Sequence, residues 1–254
     1  MGPMVAAARF ARAEAVLIAA LSLVAILIGT FAEIASDLAE HPDHAWDLSV
    51  LNALRESGQP HNPIGPRWLE IAMTDLTALG GVAVLVAIGL IVAGFLLMQR
   101  RPLAVMTLVT ALGGGLALSQ AMKLLFGRER PPLIYRAAEA VNASFPSGHA
   151  MLSAVAYLTI GAILAKSMQR THEKIYVMGV ALVLTLMVGL SRIYLGVHWA
   201  TDVFGGWTIG VAWATTCWAA ALAAERWLGR EGMSRPQRLK TQATSSTPPA
   251  VTGE

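Results

Sequence analysis

Eight residues have types and spacings that can do chemistry together. Lys123 precedes Arg130 by seven positions, Ser147, Gly148 and His149 are consecutive, Arg192 precedes His198 by six, and Asp202 follows His198 by four. A guanidinium offers a planar fork of donors that matches phosphate oxygens, and an ammonium adds a point charge. Lys123, Arg130 and Arg192 therefore suit an anion with several oxygens. If a helix runs on from Lys123 to Arg130, two turns bring both to one face, and Pro131 helps to stop it. Ser147, Gly148 and His149 stand where an apolar run begins. A helix starting there turns free N–H groups and the positive end of its dipole toward an anion, and Gly148 lets the backbone come close. Ser147 has two readings at that place, a phosphate contact and a helix cap. His198 and Asp202 meet on one helical turn. A carboxylate bonded to one ring nitrogen fixes the tautomer and leaves the other as nucleophile or base. His149, from a separate segment, can protonate a departing oxygen. The set fits a highly charged phosphoryl group, whose transfer depends on positioning and electrostatic stabilisation.

The elements that must position these residues are apolar. The chain has 254 residues, of which 55% are hydrophobic and 14% charged, with a mean hydropathy of +0.56. A soluble domain carries about 25% charged residues to cover its surface. A membrane-crossing helix needs about 20 apolar residues. Six stretches meet or approach that length: Ala15–Ala32, Leu76–Gln99, Pro102–Met122, Ala150–Ala165, Ile175–Ser191 and Val203–Ala224. The first is longer than a signal-peptide core of about 7–15 residues and reads as a retained helix. The expected fold is all-α: a polytopic membrane protein, a six-transmembrane-helix bundle with its active site at one membrane face. Residues 1–230 form the bundle. Residues 231–254 are a polar tail expected to be disordered and cytoplasmic.

Parity then gathers the chemistry. The connection between segments three and four lies on the same side as that between five and six. Basic residues orient the bundle. Counted by side, 12 Lys and Arg lie with the termini and 7 lie opposite. The positive-inside rule puts both termini in the cytoplasm. Setting aside Lys123, Arg130 and Arg192 as ligands of a phosphate makes the ratio 12 to 4. The active site is thus expected on the non-cytoplasmic face of the membrane. The net charge of +3 is spread in short clusters between apolar runs, a topology signal rather than a nucleic-acid face. A single cysteine, Cys217, excludes an intrachain disulfide.

Lys123 with six residues to Arg130-Pro131, then Pro146-Ser147-Gly148-His149, then Ser191-Arg192 with five residues to His198 and three more to Asp202, resemble the three-part signature of the type 2 phosphatidic acid phosphatase superfamily. Every position is matched in order. The resemblance spans 123–202 directly, and the six-segment layout extends it. It implies that His198 attacks phosphorus to form a phosphohistidine, oriented by Asp202, while His149 protonates the lipid leaving group. Lys123, Arg130, Ser147, the Gly148 N–H and Arg192 would hold the phosphate oxygens, and water would release inorganic phosphate. With the compact size of the chain, it also implies a bacterial inner membrane with the active site on its periplasmic, extracytoplasmic face. It implies no cofactor and no metal. The residues agree, since one carboxylate is too few for a dedicated Mg²⁺ site.

The substrates this implies are lipid phosphomonoesters or diphosphates: phosphatidic acid, phosphatidylglycerophosphate, or an isoprenyl diphosphate such as undecaprenyl diphosphate. A phosphotransferase with an acceptor lipid in place of water stays open, as does a non-catalytic phosphate-binding or transport protein. A vanadium-dependent haloperoxidase has a similar pocket, but six membrane segments argue against one. Arg128 and Arg136 read equally as headgroup guides and as loop residues. His41, His44 and His61 match no metal spacing. Asp75 reads as a cap on the second segment. In the connection 33–67, Trp46, Val50, Leu51 and Leu54 recur at helical spacing. That helix lies on the membrane surface or packs on the bundle end. Gly206 and Gly210 are expected to pack one helix on its neighbour. The tryptophans from Trp199 to Trp227 read as interface and packing residues.

Overall fold

The computed structural model describes residues 3–40, 45–138 and 142–245, with side chains over 14–40, 45–138 and 142–228. The helices are α1 (Pro3–Glu40), α2 (Ala45–Ala53), α3 (Arg67–Ala78), α4 (Val82–Met98), α5 (Pro102–Phe126), α6 (Gly148–Ser167), α7 (Thr171–Tyr194) and α8 (Ala200–Ser245). A short antiparallel hairpin, β1 (Arg55–Glu56) and β2 (Gln59–Pro63), lies between α2 and α3, and a 3₁₀ turn covers Leu133–Tyr135. Among the described residues, five helices are long and apolar enough to cross a membrane: Glu14–Glu40 of α1, α5, α6, α7 and Ala200–Leu228 of α8. The pair α3–α4, bent by 52°, makes the sixth span. The chain is a multi-pass helical membrane protein.

The second span is not the continuous run expected from Leu76 to Gln99. It breaks at Gly80-Gly81, where neighbouring helices come too close to Gly80 for a side chain. A Cβ at Gly80 would lie 3.3 Å from Cβ and Cδ2 of His149 and would overlap Val188 Cγ1. The Leu79 carbonyl, freed at the break, accepts the Tyr157 hydroxyl at 2.7 Å. Asp75 lies in the last turns of α3 and starts no span.

A second difference bears on the site. Helix α5 stops at Phe126, where Gly127 takes the left-handed conformation (φ 57°) and its N–H reaches the Lys123 carbonyl. Lys123 and Arg130 therefore share no helix face. Helix α8 continues to Ser245, into the stretch whose composition suggested an unstructured tail. Residues 246–254 of that tail, like His41 and His44, lie outside the described residues.

Helix α6 is the centre, buried at every residue from Ala150 to Tyr157 and packed against α5, α7 and α8. A Cβ on Gly206 or Gly210 of α8 would lie 2.7 Å from the Ser147 carbonyl oxygen or 2.6 Å from that of Met151. The two glycines thus let α8 approach the α6 backbone, as their spacing suggested. Lipid tails are as apolar as leucine, so close packing replaces hydrophobic exclusion as the cohesive force. Trp207 and Trp213 of α8 donate to the Thr185 and Ala111 carbonyls of α7 and α5. Helix α2 packs on the bundle end: Leu51 is buried, and Val50 and Leu54 pack against Ile193, Ala200 and Val203.

Candidate active site

Four helix ends meet at one end of the bundle: the C-termini of α5 and α7 and the N-termini of α6 and α8. They carry Lys123, Arg192, Gly148-His149 and Asp202. The loop before α6 adds Arg130 and Ser147, and the turn before α8 adds His198.

His198 is 1% exposed. Its Nδ1 lies 3.3 Å from Asp202 Oδ2, and Arg130 Nη1 lies 3.1 Å from its Nε2. A guanidinium can only donate, so Nε2 accepts and holds a lone pair, and the ring proton belongs on Nδ1 facing the carboxylate. That is the tautomer a nucleophilic Nε2 requires. Burial pushes the imidazole pKa down from its ordinary value to about 4, against the opposing hydrogen bond and charge of Asp202. His198 is therefore neutral at pH 7.

Asp202 is completely buried and fully used. Its Oδ2 also accepts the Trp199 N–H at 2.9 Å and the Ser144 hydroxyl. Its Oδ1 pairs with Arg128 Nη1 at 2.5 Å. The other end of that guanidinium reaches Asp47 of α2 at 2.7 Å. Asp47 also accepts the Thr201 N–H and hydroxyl in the first turn of α8. Arg128 thus ties α2 to Asp202, the carboxylate that faces His198 Nδ1.

The other cations are not neutralised in this way. Among the described residues, Lys123, Arg130 and Arg192 form no ion pair with a carboxylate. Lys123 Nζ donates to the Ala143 carbonyl at 3.2 Å. Arg130 donates to the carbonyls of Asn142 and Val197, both at 2.6 Å, and burial lowers its pKa. Arg192 donates to Thr77 Oγ1 at 3.0 Å from the last turn of α3. Three such charges with carbonyl and hydroxyl partners make a strongly anion-seeking centre.

The α6 N-terminus completes it. Ser147 is the N-cap residue, but its side chain makes no capping bond, and its buried Oγ has no hydrogen-bond partner. A Cβ on Gly148 would lie 3.3 Å from Ser119 Oγ and 3.5 Å from Lys123 Cε. The Gly148 backbone therefore borders the lysine directly. His149 is within electrostatic reach of Arg192, His198, Lys123 and Arg130. Among the described residues no cluster of three or more His, Cys, Asp or Glu could hold a metal ion.

All eight sequence-selected residues fall in this one region. Arg128, although in the loop after α5, is no solvated residue, because its guanidinium bridges Asp47 and Asp202, whereas among the described residues the Arg136 side chain donates to the Pro131 carbonyl. Asp47, Ser144 and Thr77 were not singled out. No local spacing marks them, because Asp47 and Ser144 meet Asp202, Arg128 or Thr201 and Thr77 meets Arg192 only across other elements. Arg55, likewise unmarked, donates to the Tyr194 and Tyr135 carbonyls and fastens the hairpin to the bundle end.

The family model described as the PAP2 superfamily matches residues 104–226. The chain is 33% identical over 150 residues to phosphatidylglycerophosphatase B of Bacillus subtilis (strain 168), covering 57% of this chain and 71% of that protein. It is 26% identical over 125 residues to an undecaprenyl-diphosphatase of Sulfolobus acidocaldarius, covering 47% and 56%. Among solved structures, it resembles a transmembrane PAP2 type phosphatidylglycerolphosphate phosphatase from Bacillus subtilis, with TM-score 0.70, 27% identity and coverage of 76% and 93%. LpxE of Aquifex aeolicus shares the fold, with TM-score 0.51, 23% identity and coverage of 68% and 94%. With the signature residues gathered at one end of a six-span bundle, these likenesses establish that the chain belongs to the PAP2 superfamily.

Proposed function

We propose that this chain is an integral-membrane phosphatase that hydrolyses a lipid phosphomonoester or diphosphate through a phosphohistidine at His198, without a metal. One observation carries the reading: His198 Nε2 offers its lone pair to a guanidinium while Nδ1 faces a buried carboxylate. A phosphate arriving at Arg130 would draw that guanidinium to its own oxygens and bring phosphorus to Nε2. The Nε2–P bond forms as the P–O bond to the lipid breaks, and His149 gives the leaving oxygen its proton. Lys123, Arg130, Arg192, the Ser147 hydroxyl and the Gly148 N–H hold the non-bridging oxygens. Water, giving its proton back to His149, then cleaves the N–P bond and frees phosphate.

A lipid leaving group is supported by the rim beside the cations. Leu124, Leu125 and Leu133 are 87%, 73% and 76% exposed there, an apolar surface suited to the tail of a lipid substrate. The names of the relatives point to phosphatidylglycerophosphate and undecaprenyl diphosphate, and phosphatidic acid fits the same chemistry. Residues 1–230 form the phosphatase domain in this reading. The Lys and Arg asymmetry supports cytoplasmic termini and a site on the opposite face, and the likeness to Bacillus subtilis proteins supports a bacterial cytoplasmic (inner) membrane.

The test is phosphate release by detergent-purified protein from these three substrates, with excess chelator present. The expected result is release from at least one, at a rate the chelator does not change. Release from none removes the lipid-phosphatase reading, and loss on chelation removes the metal-free mechanism.

A further inference from the structure

A groove of ≈ 950 Å³ opens between α5 and α8 over the floor of α6, at the bundle end remote from His198. The catalytic residues do not touch it. Its walls are apolar, formed by Leu103, Leu158, Ala162, Val211, Ala214 and Leu222. Its mouth holds Arg101, Lys166 and Lys174 against a single carboxylate, Glu225. Glu225 pairs with Lys166, and Arg101 donates to the Ser167 hydroxyl at 2.5 Å. Among the described residues Lys174 has no side-chain partner. The mouth therefore keeps a net positive charge.

Two further features point to a ligand. Helix α5 begins at this mouth with Pro102 in its first turn and no side-chain cap; its first intrahelical bond is from Val105 N to Arg101 O, so the Leu103 and Ala104 N–H groups precede the ladder. On the floor, Thr159 is 4% exposed, and its buried Oγ1 has no hydrogen-bond partner. It stands seven residues before Lys166, about 10 Å deeper along α6.

We propose that this groove binds an anionic phospholipid of the leaflet opposite the catalytic face. Arg101, Lys174 and the α5 N-terminus take the headgroup phosphate. An acyl chain lies over Thr159, Ala162 and Ala214. The occupant must be an amphiphile, because the trough is apolar and lies within membrane-crossing helices. It must be anionic, because the mouth carries excess positive charge where headgroups lie. The volume is near the top of the roughly 300–1,000 Å³ range of small-molecule sites.

The inference is tested with delipidated protein titrated with dioleoylphosphatidylglycerol or dioleoylphosphatidylcholine, bound lipids being counted by native mass spectrometry. The first phosphatidylglycerol should bind about tenfold more tightly than phosphatidylcholine. The double variant Arg101→Gln, Lys174→Gln should remove that preference, Ala214→Trp should block both lipids, and phosphate release should persist in each variant. Lys123→Gln should leave the preference intact, since the catalytic pocket is elsewhere. Equal binding of the two lipids overturns the proposal. So does a preference that survives the double variant, disappears in Lys123→Gln, or is replaced by a dimer cross-linked across the groove. Because no turnover is read in the lipid titration, failure here leaves the phosphatase reading standing, and failure of that reading leaves this site standing.

Discussion

Helices α1 and α6 cross the same membrane on different terms. In the most apolar window of α1 only 11% of residues are buried inside the protein, against 56% for α6, yet α1 is the more hydrophobic of the two. In a soluble protein the order would be reversed. Here hydropathy marks what faces lipid, whereas small residues, hydroxyls and ionisable groups mark what faces other helices and the site. Helix α6 carries His149 in its first turn and buries Ser153 and Thr159. The chemistry therefore belongs to the less apolar spans, and perturbations should divide along that line.

The largest effect is expected at the nucleophile. His198→Ala should lower turnover by at least about 10⁴-fold while circular dichroism and thermal melting stay near wild type. A change that unfolded the bundle would blur the contrast between site and scaffold. Arg192→Gln and Lys123→Gln should each cost about 10²–10³-fold in kcat, as expected for removing a preorganised cation from a phosphoryl site.

Arg128→Gln probes the bridge between α2 and the site. It leaves Asp47 and Asp202 without their shared cation, and breaking such a buried pair costs about 3–5 kcal/mol. Thermal stability should fall, and kcat should drop by at least about tenfold, because Asp202 is then free to turn from His198. Unchanged kcat with lowered stability would reduce Arg128 to a scaffold residue. The pH profile should sharpen the same point. With the free-enzyme imidazole held at about 4, protonation of His198 should add no acid limb to kcat/KM above that pH. An acid limb near 6.5 would mean that His198 titrates as if exposed.

The smallest effects separate the scaffold halves. Gly206→Leu, on the α6-facing side of α8, should destabilise by about 1–3 kcal/mol through overpacking. Ile26→Ala, on lipid-facing α1 where Ile26 is 65% exposed, should change stability by about 0.5 kcal/mol or less.

Sequence readability follows the same division. The spans were legible because each needs a long uncharged run, and the site residues because their spacing places them at helix ends on one face. What was not legible depends on contacts between distant elements. The break at Gly80-Gly81 lies where His149 and Val188 approach Gly80, and no periodicity within Leu76–Gln99 records that approach. The stop at Gly127 was visible as a glycine, but its left-handed backbone comes with the turn that returns Arg130 to His198. Arg128 is set apart from a solvated arginine by partners distant in the chain, among them Asp47 and Asp202, which are 81 and 74 positions away. Ser144 was hidden for the same reason.

The central claim is that His198 Nε2 takes the phosphoryl group. Rapid acid-free quenching of the wild-type protein turning over ³²P-labelled phosphatidic acid or phosphatidylglycerophosphate, followed by peptide mapping, tests it directly. The predicted result is an acid-labile, base-stable label on the peptide holding His198, absent from His198→Ala. Label on another residue, or phosphate release by His198→Ala at the wild-type rate, would contradict it.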